Sequence, residues 1–174
     1  MDSGIVDSGI ADSQNQNEFG LVAVDTLMEE WEAHSPCRIV VSAPAGKGKT
    51  TVVKQFVAKL LPDTRVEVVA CSESGRAAWS EVFEENPDCG QVYTHVSQIP
   101  TTAREKRTLL VVEDDVLGDS TLDRWIILPE NLSLFKALGA MQNLSMVFLC
   151  QERLQSTVAF KDVLHITRRI TWFK

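Results

Sequence analysis

Short apolar runs alternate with amphipathic helical patterns along most of this chain. Between the first two runs, apolar residues recur at the i, i+3, i+4, i+7 spacing of a helix, which Pro62 ends. Helical patterns also cover residues 75–84 and 125–144, whereas residues 85–107 are polar and ambiguous. Strands alternating with helices predict an α/β fold, a three-layer sandwich with a five-stranded, mainly parallel sheet. The predicted strands are residues 38–42, 65–71, 108–113, 145–150 and 163–170.

The same pattern divides the chain into three segments. Residues 1–17 carry a repeated Asp-Ser-Gly-Ile unit and too little apolar mass to fold alone, which predicts a disordered acidic tail. Residues 18–35 predict a leading amphipathic helix with one apolar face. Residues 36–174 then form the main α/β domain.

Residues 43–50 match a phosphate-binding loop. They read Ala-Pro-Ala-Gly-Lys-Gly-Lys-Thr, with Ala43 where glycine is usual, and lie between a predicted strand and a predicted helix. In such a loop backbone N–H groups surround phosphate oxygens, the lysine contacts the β- and γ-phosphates, and the hydroxyl ligates Mg²⁺. This favours a P-loop NTPase domain that binds a nucleotide and Mg²⁺, with Thr50 as a metal ligand. The predicted nucleotide-binding residues are Ala45, Gly46, Lys47, Gly48, Lys49, Thr50 and Thr51.

Adjacent carboxylates follow the third predicted strand. Nucleoside-triphosphate hydrolysis needs a carboxylate that holds hydrated Mg²⁺ and a polar group that orients water. We assign Asp114 to the magnesium ion and Asp115 to the second acid. Glu113 leaves the register of this pair open, since Glu113 and Asp114 could serve instead.

The fourth predicted strand precedes a second candidate cation. In P-loop proteins with an extra strand between the two motif strands, residues 145–150 would lie centrally in the sheet. Arg153 follows this strand and is a candidate sensor of the γ-phosphate, because a planar cation can report a terminal phosphate.

Composition narrows the functional classes. The net charge of −7 makes nucleic acid an unlikely partner, since a general binder of nucleic acid needs a basic face. The four cysteines show no CxxC pair, which favours free thiols in a reducing, cytoplasmic setting. No apolar run approaches the ~18 residues that span a membrane, so we expect no membrane association.

Together these motifs resemble the STAND class of signalling NTPases, whose relatives include the NACHT and NB-ARC domains. The group called novel STAND NTPase group three is the most similar, because an Asp-Asp-x-x-Gly segment and a tryptophan follow its acidic strand, as Asp114 and Trp125 do here. The resemblance covers about residues 36–170. By position it implies phosphate and Mg²⁺ binding by Lys49, Thr50 and Asp114, and γ-phosphate sensing by Arg153.

The resemblance also implies a mode of action. Such domains alternate between ADP-bound resting and ATP-bound signalling states, often in defence or cell-death pathways, through protein partners or self-association. The chain lacks the helical and winged-helix segments of larger relatives, so we expect a domain truncated after its fifth strand. We therefore expect a slow ATPase that acts as a nucleotide-dependent switch.

Two alternatives stay open. Residues 42–51 also suit the first motif of superfamily 1 helicase-like domains of plant-virus movement and replication proteins, although the expected Asp-Glu and Gly-Asp-x-x-Gln motifs are not matched. Strong stimulation of ATP hydrolysis by single-stranded RNA would favour that class. The second alternative is a nucleotide-binding interaction module with negligible turnover.

Overall fold

The structure is a computed structural model that describes residues 6–10, 16–44, 46, 48–117, 129–150 and 165–172. Within these ranges it contains strands, α-helices and two short 3₁₀ turns. The strands are β1 (Val6–Ile10), β2 (Arg38–Ser42), β3 (Arg65–Val69), β4 (Gly90–Tyr93), β5 (Thr108–Val112), β6 (Leu144–Cys150) and β7 (Arg168–Trp172). The helices are α1 (Gln16–Ala33), α2 (Lys49–Leu60), α3 (Glu73–Val82), α4 (Asp114–Leu117) and α5 (Pro129–Gly139).

All described strands belong to one sheet in the order β1-β7-β2-β6-β5-β3-β4. Every neighbouring pair is parallel. The predicted α/β sandwich with a parallel sheet is therefore confirmed, with seven strands where five were expected. The prediction that the strand over residues 145–150 lies centrally is also confirmed, since β6 lies between β2 and β5.

Alternate side chains of the central strands enter two apolar cores on opposite faces of the sheet. On β5, Leu109 and Val111 pack with helices α1, α2 and α3, whose largest buried side chains include Phe56 and Trp79. Leu110 and Val112 pack on the other face with α5. Helices on both faces explain why β5 and β6 are continuous apolar runs, as in other buried parallel strands.

Two strands were not predicted. Residues 1–17 were predicted to be a disordered tail, but Val6–Ile10 forms strand β1 at the edge of the sheet. Its register with Arg168–Trp172 is parallel, and such pairing depends on backbone groups that the edge of β7 would otherwise leave unpaired. Strand β4 lies within the polar segment 85–107 and forms the opposite edge.

Several boundaries also differ from the predictions. The helix predicted over residues 125–144 covers both α5 and the start of β6, while residues 125–128 lie outside the described ranges. The last strand begins at Arg168 rather than at residue 163.

No helix among the described residues has the length and apolar character to cross a membrane.

A buried arginine joins β2 to the turn between α5 and β6. Arg38 is only 2% exposed. Its guanidinium donates to the carbonyl oxygens of Leu144 at 3.1 Å and Met141 at 3.0 Å. These bonds satisfy one carbonyl in the turn after α5 and one at the start of β6.

Candidate phosphate-binding site

The loop between β2 and α2 has the backbone conformation of a glycine-rich turn. Gly46 and Gly48 have φ angles of 77° and 86°, in the left-handed region that side chains with a Cβ rarely adopt. A Cβ added at either position would meet nothing within 4 Å. Glycine is thus required by the backbone and not by crowding, and the space above the loop is open. Ala45 and Lys47 lie outside the described residues.

Helix α2 begins in this loop without a capping side chain. Gly48 is its N-cap residue, no capping side chain accepts a hydrogen bond from its first amides, and its first turn contains no acidic residue. The first amides of a helix lack partners within the helix, and the helix dipole makes this end positive. The amides of Lys49, Thr50 and Thr51 therefore present an anion-binding end to the open space.

Lys49 lies under the loop with its ammonium group already engaged. The side chain is 5% exposed. Nζ donates to the carbonyl oxygen of Ala43 at 3.0 Å and lies 3.4 Å from Oδ2 of Asp114. The carbonyl group and the carboxylate thus hold the cation at the mouth of the loop, where it could pair with an incoming phosphate.

Glu113 is the carboxylate that faces Thr50. The Thr50 hydroxyl donates to both carboxylate oxygens of Glu113, at 3.1 and 3.2 Å. The indole N–H of Trp79 donates to Oε1 of Glu113 at 2.7 Å. Asp114, which was assigned to Mg²⁺ from the sequence, lies beside Lys49 instead. Of the two registers left open, the structure brings Glu113 and Asp114 to the loop.

Asp115 has a different position. Its Oδ1 accepts from the amide of Cys71 at 3.0 Å and its Oδ2 accepts from the amide of Ser72 at 2.9 Å. Both oxygens thereby fix the connection between β3 and α3. The geometry therefore gives no support to its assignment as the second acid.

The environment of Glu113 perturbs its ionisation. Burial raises the pKa of this carboxyl above its usual range, and the neighbouring charges of Asp114 and Asp115 act in the same direction. Hydrogen bonds from Trp79 and Thr50 oppose this rise by stabilising the carboxylate. A cation near Glu113 would act like these donors, because positive charge also favours the ionised form.

A cavity of about 320 Å³ lies over the loop and the start of α2. This volume lies at the lower end of the range for small-molecule sites. Its lining consists of Gly46, Gly48, Lys49, Thr50, Thr51 and Asp114. The predicted loop residues that the structure describes therefore share one cavity with one of the predicted acids.

Arg153, the predicted γ-phosphate sensor, lies outside the described residues, although β6 ends at Cys150 beside the loop strand β2. Trp79 was not predicted as a site residue. A tryptophan in an amphipathic helix is expected to be a core residue. Its contact with Glu113 arises from the packing of α3 on the sheet, which the sequence does not show.

The sheet order and the glycine loop after β2 are consistent with a P-loop NTPase-like α/β fold. No protein-family model and no curated protein matches the chain. Among solved structures, C. elegans PCH-2 is similar to it, with 16% sequence identity and a TM-score of 0.45. The match covers 93% of this chain but 44% of the PCH-2 chain, so the chain spans less than half of that protein.

Proposed function

We propose that this domain binds a nucleoside triphosphate and Mg²⁺ at the β2–α2 loop. The observation that carries the proposal is the convergence of Lys49, Thr50 and Glu113 at one uncapped helix N-terminus. The α2 amides and Lys49 would bind the phosphate oxygens. A cation on one side and a hydroxyl–carboxylate pair on the other suit a charged phosphate chain with its metal.

The donor set fits Mg²⁺. Thr50, Glu113 and Asp114 supply hydroxyl and carboxylate oxygens, and Mg²⁺ prefers oxygen ligands. Proteins usually hold Mg²⁺ through one or two carboxylates together with substrate phosphates and water. We assign Thr50 as the direct ligand, with Glu113 close behind it and Asp114 shared with Lys49. The bound ion would neutralise charge on the phosphates.

We further propose slow ATP hydrolysis and a role as a nucleotide-dependent switch of the STAND type. Lys49 is the cationic side chain among the described residues that line the cavity. An additional arginine acting on the transferring phosphate is worth about 10³–10⁵ in rate. The described part of the site, with its one lysine, therefore supports binding better than rapid turnover. The ADP-bound and ATP-bound states would then differ in their affinity for another molecule, either a protein partner or a second copy of this chain.

A pair of lysine variants tests the binding proposal. Lys49→Ala removes a charge-assisted bond to phosphate, so ATP affinity should fall by about 10- to 100-fold in titration calorimetry. Lys59→Ala is the matched control, because Lys59 is exposed in the last turn of the same helix. Equal ATP affinity in wild type and Lys49→Ala would overturn the proposal for this loop.

The switch proposal needs a separate measurement. Purified protein is denatured and the released nucleotide is identified by chromatography. Retained ADP would support a resting state that exchanges slowly. Release of no nucleotide, together with rapid turnover of added ATP, would contradict the switch and leave the binding site intact.

A further inference from the structure

Trp79 contacts the candidate metal site from inside the core. Its side chain is fully buried in α3. The ring stacks on Phe83 with centroids 6.5 Å apart and an interplanar angle of 25°. Its one polar atom, Nε1, donates to Oε1 of Glu113 at 2.7 Å. The ring is therefore fixed on its apolar sides while its N–H is directed at a carboxylate.

The acceptor of this hydrogen bond is unusual for a buried indole N–H. Most side-chain hydrogen bonds go to backbone or water, whereas this one goes to a side chain that is itself 5% exposed. Hydrogen bonds to ionised acceptors are shorter and about twice as strong as neutral ones. A short bond between two buried groups restrains the carboxylate firmly, because little of either group is exposed to water that could replace it.

The restraint acts selectively on the two oxygens of Glu113. Oε1 accepts from both Trp79 and Thr50, while Oε2 accepts from Thr50 alone in the described structure. With Oε1 held by the indole, Oε2 is the oxygen available to the hydroxyl and to a hydrated cation. Groups behind metal ligands commonly set ligand orientation in this way.

We propose that Trp79 is a positioning residue that holds Glu113 toward Thr50 and so sets the affinity of the site for Mg²⁺. The proposal rests on the nucleotide site proposed above. Through Trp79, helix α3 would contribute to metal binding, a role that its amphipathic sequence does not indicate. Asp115 fixes the start of the same helix through the amides of Cys71 and Ser72, so two of the three consecutive acids bind the α3 region.

The test compares two buried tryptophans. Trp79→Phe removes the N–H donor and keeps an aromatic ring. Trp31→Phe is the matched control, since Trp31 is 6% exposed in the same apolar core and packs edge-on against Phe56. ATP binding is measured by calorimetry over a Mg²⁺ series and in excess chelator, and the free energy of unfolding is measured without metal.

Trp79→Phe should raise the Mg²⁺ concentration at half-saturation by about 10-fold or more, as with other residues behind metal ligands. Metal-free ATP binding should change little, and Trp31→Phe should leave the Mg²⁺ dependence unaltered. Equal Mg²⁺ dependence in Trp79→Phe and wild type would overturn the role of Trp79 while leaving nucleotide binding established. A wild-type protein that binds no ATP would instead overturn the proposed function.

A double-variant cycle gives a readout that needs no metal. If Trp79 acts through Glu113, adding Trp79→Phe to Glu113→Gln should change the free energy of unfolding by less than Trp79→Phe does alone. Strict additivity would contradict the coupling. Should Trp79→Phe not fold, the indole N–H resonances of the wild type replace it. One of the four tryptophan signals should shift when Mg²⁺ joins bound ATP, and no shift would refute the proposal.

Discussion

Gly48 illustrates how strongly the loop depends on single backbone dihedral angles. It has a φ of 86° and serves as the N-cap of α2, so its conformation sets the direction in which the first helical amides point. A methyl group there would find free space but an unfavourable backbone. A substitution at Gly48 would therefore lower the free energy of unfolding even in the absence of a ligand.

Two glycine-to-alanine variants separate this conformational demand from ordinary helix propensity. Gly48→Ala should lower the free energy of unfolding by about 1–2 kcal/mol, because the left-handed backbone conformation is less favourable by that amount for a residue with a Cβ. Gly20→Ala, within helix α1 and with nothing within 4 Å of an added Cβ, should raise it by about 0.5–1 kcal/mol. Urea unfolding measures both. A Gly48→Ala protein as stable as wild type would contradict the observed loop conformation.

The residues of the site were predictable to different degrees. Gly48, Lys49 and Thr50 could be predicted because the motif acts over adjacent residues and fixes its own local geometry. The choice between Glu113 and Asp115 could not, because β5 ends at Val112 and α4 begins at Asp114. At such a change from strand to helix, successive side chains turn in unrelated directions, and one residue of register decides which acid meets Thr50.

At the scale of elements, a buried ion pair connects β3 to the segment after β4. Glu67 on β3 is 2% exposed and receives two bonds from Arg104, at 3.1 Å each. Tyr93 at the end of β4 donates its hydroxyl to the same carboxylate at 2.8 Å. The buried charge is thus paired and hydrogen-bonded, which is the condition for tolerating it inside a protein.

This arrangement makes a prediction at alkaline pH. Burial, and then the hydrogen bond to Glu67, raise the pKa of Tyr93 from 10.0 to about 12. The folded state therefore keeps a proton that the unfolded state loses, so this contribution to stability is complete below pH ~10 and is lost as pH rises toward ~12. Since the chain has one tyrosine, tyrosinate absorbance reports this group directly.

The titration midpoint should lie near 12 in the folded protein and near 10 in denaturant. Tyr93→Phe should flatten the loss of stability over the same interval. A folded-state midpoint near 10 would show that the hydroxyl does not hold its bond to Glu67 in solution.

Elements were predictable where burial on both faces leaves a continuous apolar sequence. Strands β5 and β6 are fully buried along their length, and the sequence shows it. Strand β4 pairs on one side only and has no fully buried residue, so its sequence carries no apolar run. Strand β1 lies at the edge of the sheet and pairs with β7, which is distant in sequence, so no local pattern indicates this contact.

At the scale of the whole molecule, β1 covers an edge that the sheet would otherwise expose. Deleting residues 1–10 should uncover β7, lower the free energy of unfolding and promote self-association, because an unpaired edge invites pairing with another chain. ATP affinity should not change, since β2 and α2 keep their neighbours. Sedimentation velocity and calorimetry measure these effects.

The matched control deletes residues 1–5 and keeps β1. If both deletions behave alike, β1 does not protect the edge. If the longer deletion weakens ATP binding, the amino-terminal segment has a part in the site that the described structure does not show.

The separate contacts of the three acids after β5 affect how this chain can be aligned with distant relatives. An alignment guided by the Asp114–Asp115 dipeptide would put Asp115 in a column reserved for metal-site acids, although both of its oxygens accept from backbone amides. If Glu113 is aligned instead with the acid that faces the loop hydroxyl in the relatives, the alignment of this segment shifts by one residue. Only that alignment is consistent with the Thr50 contact.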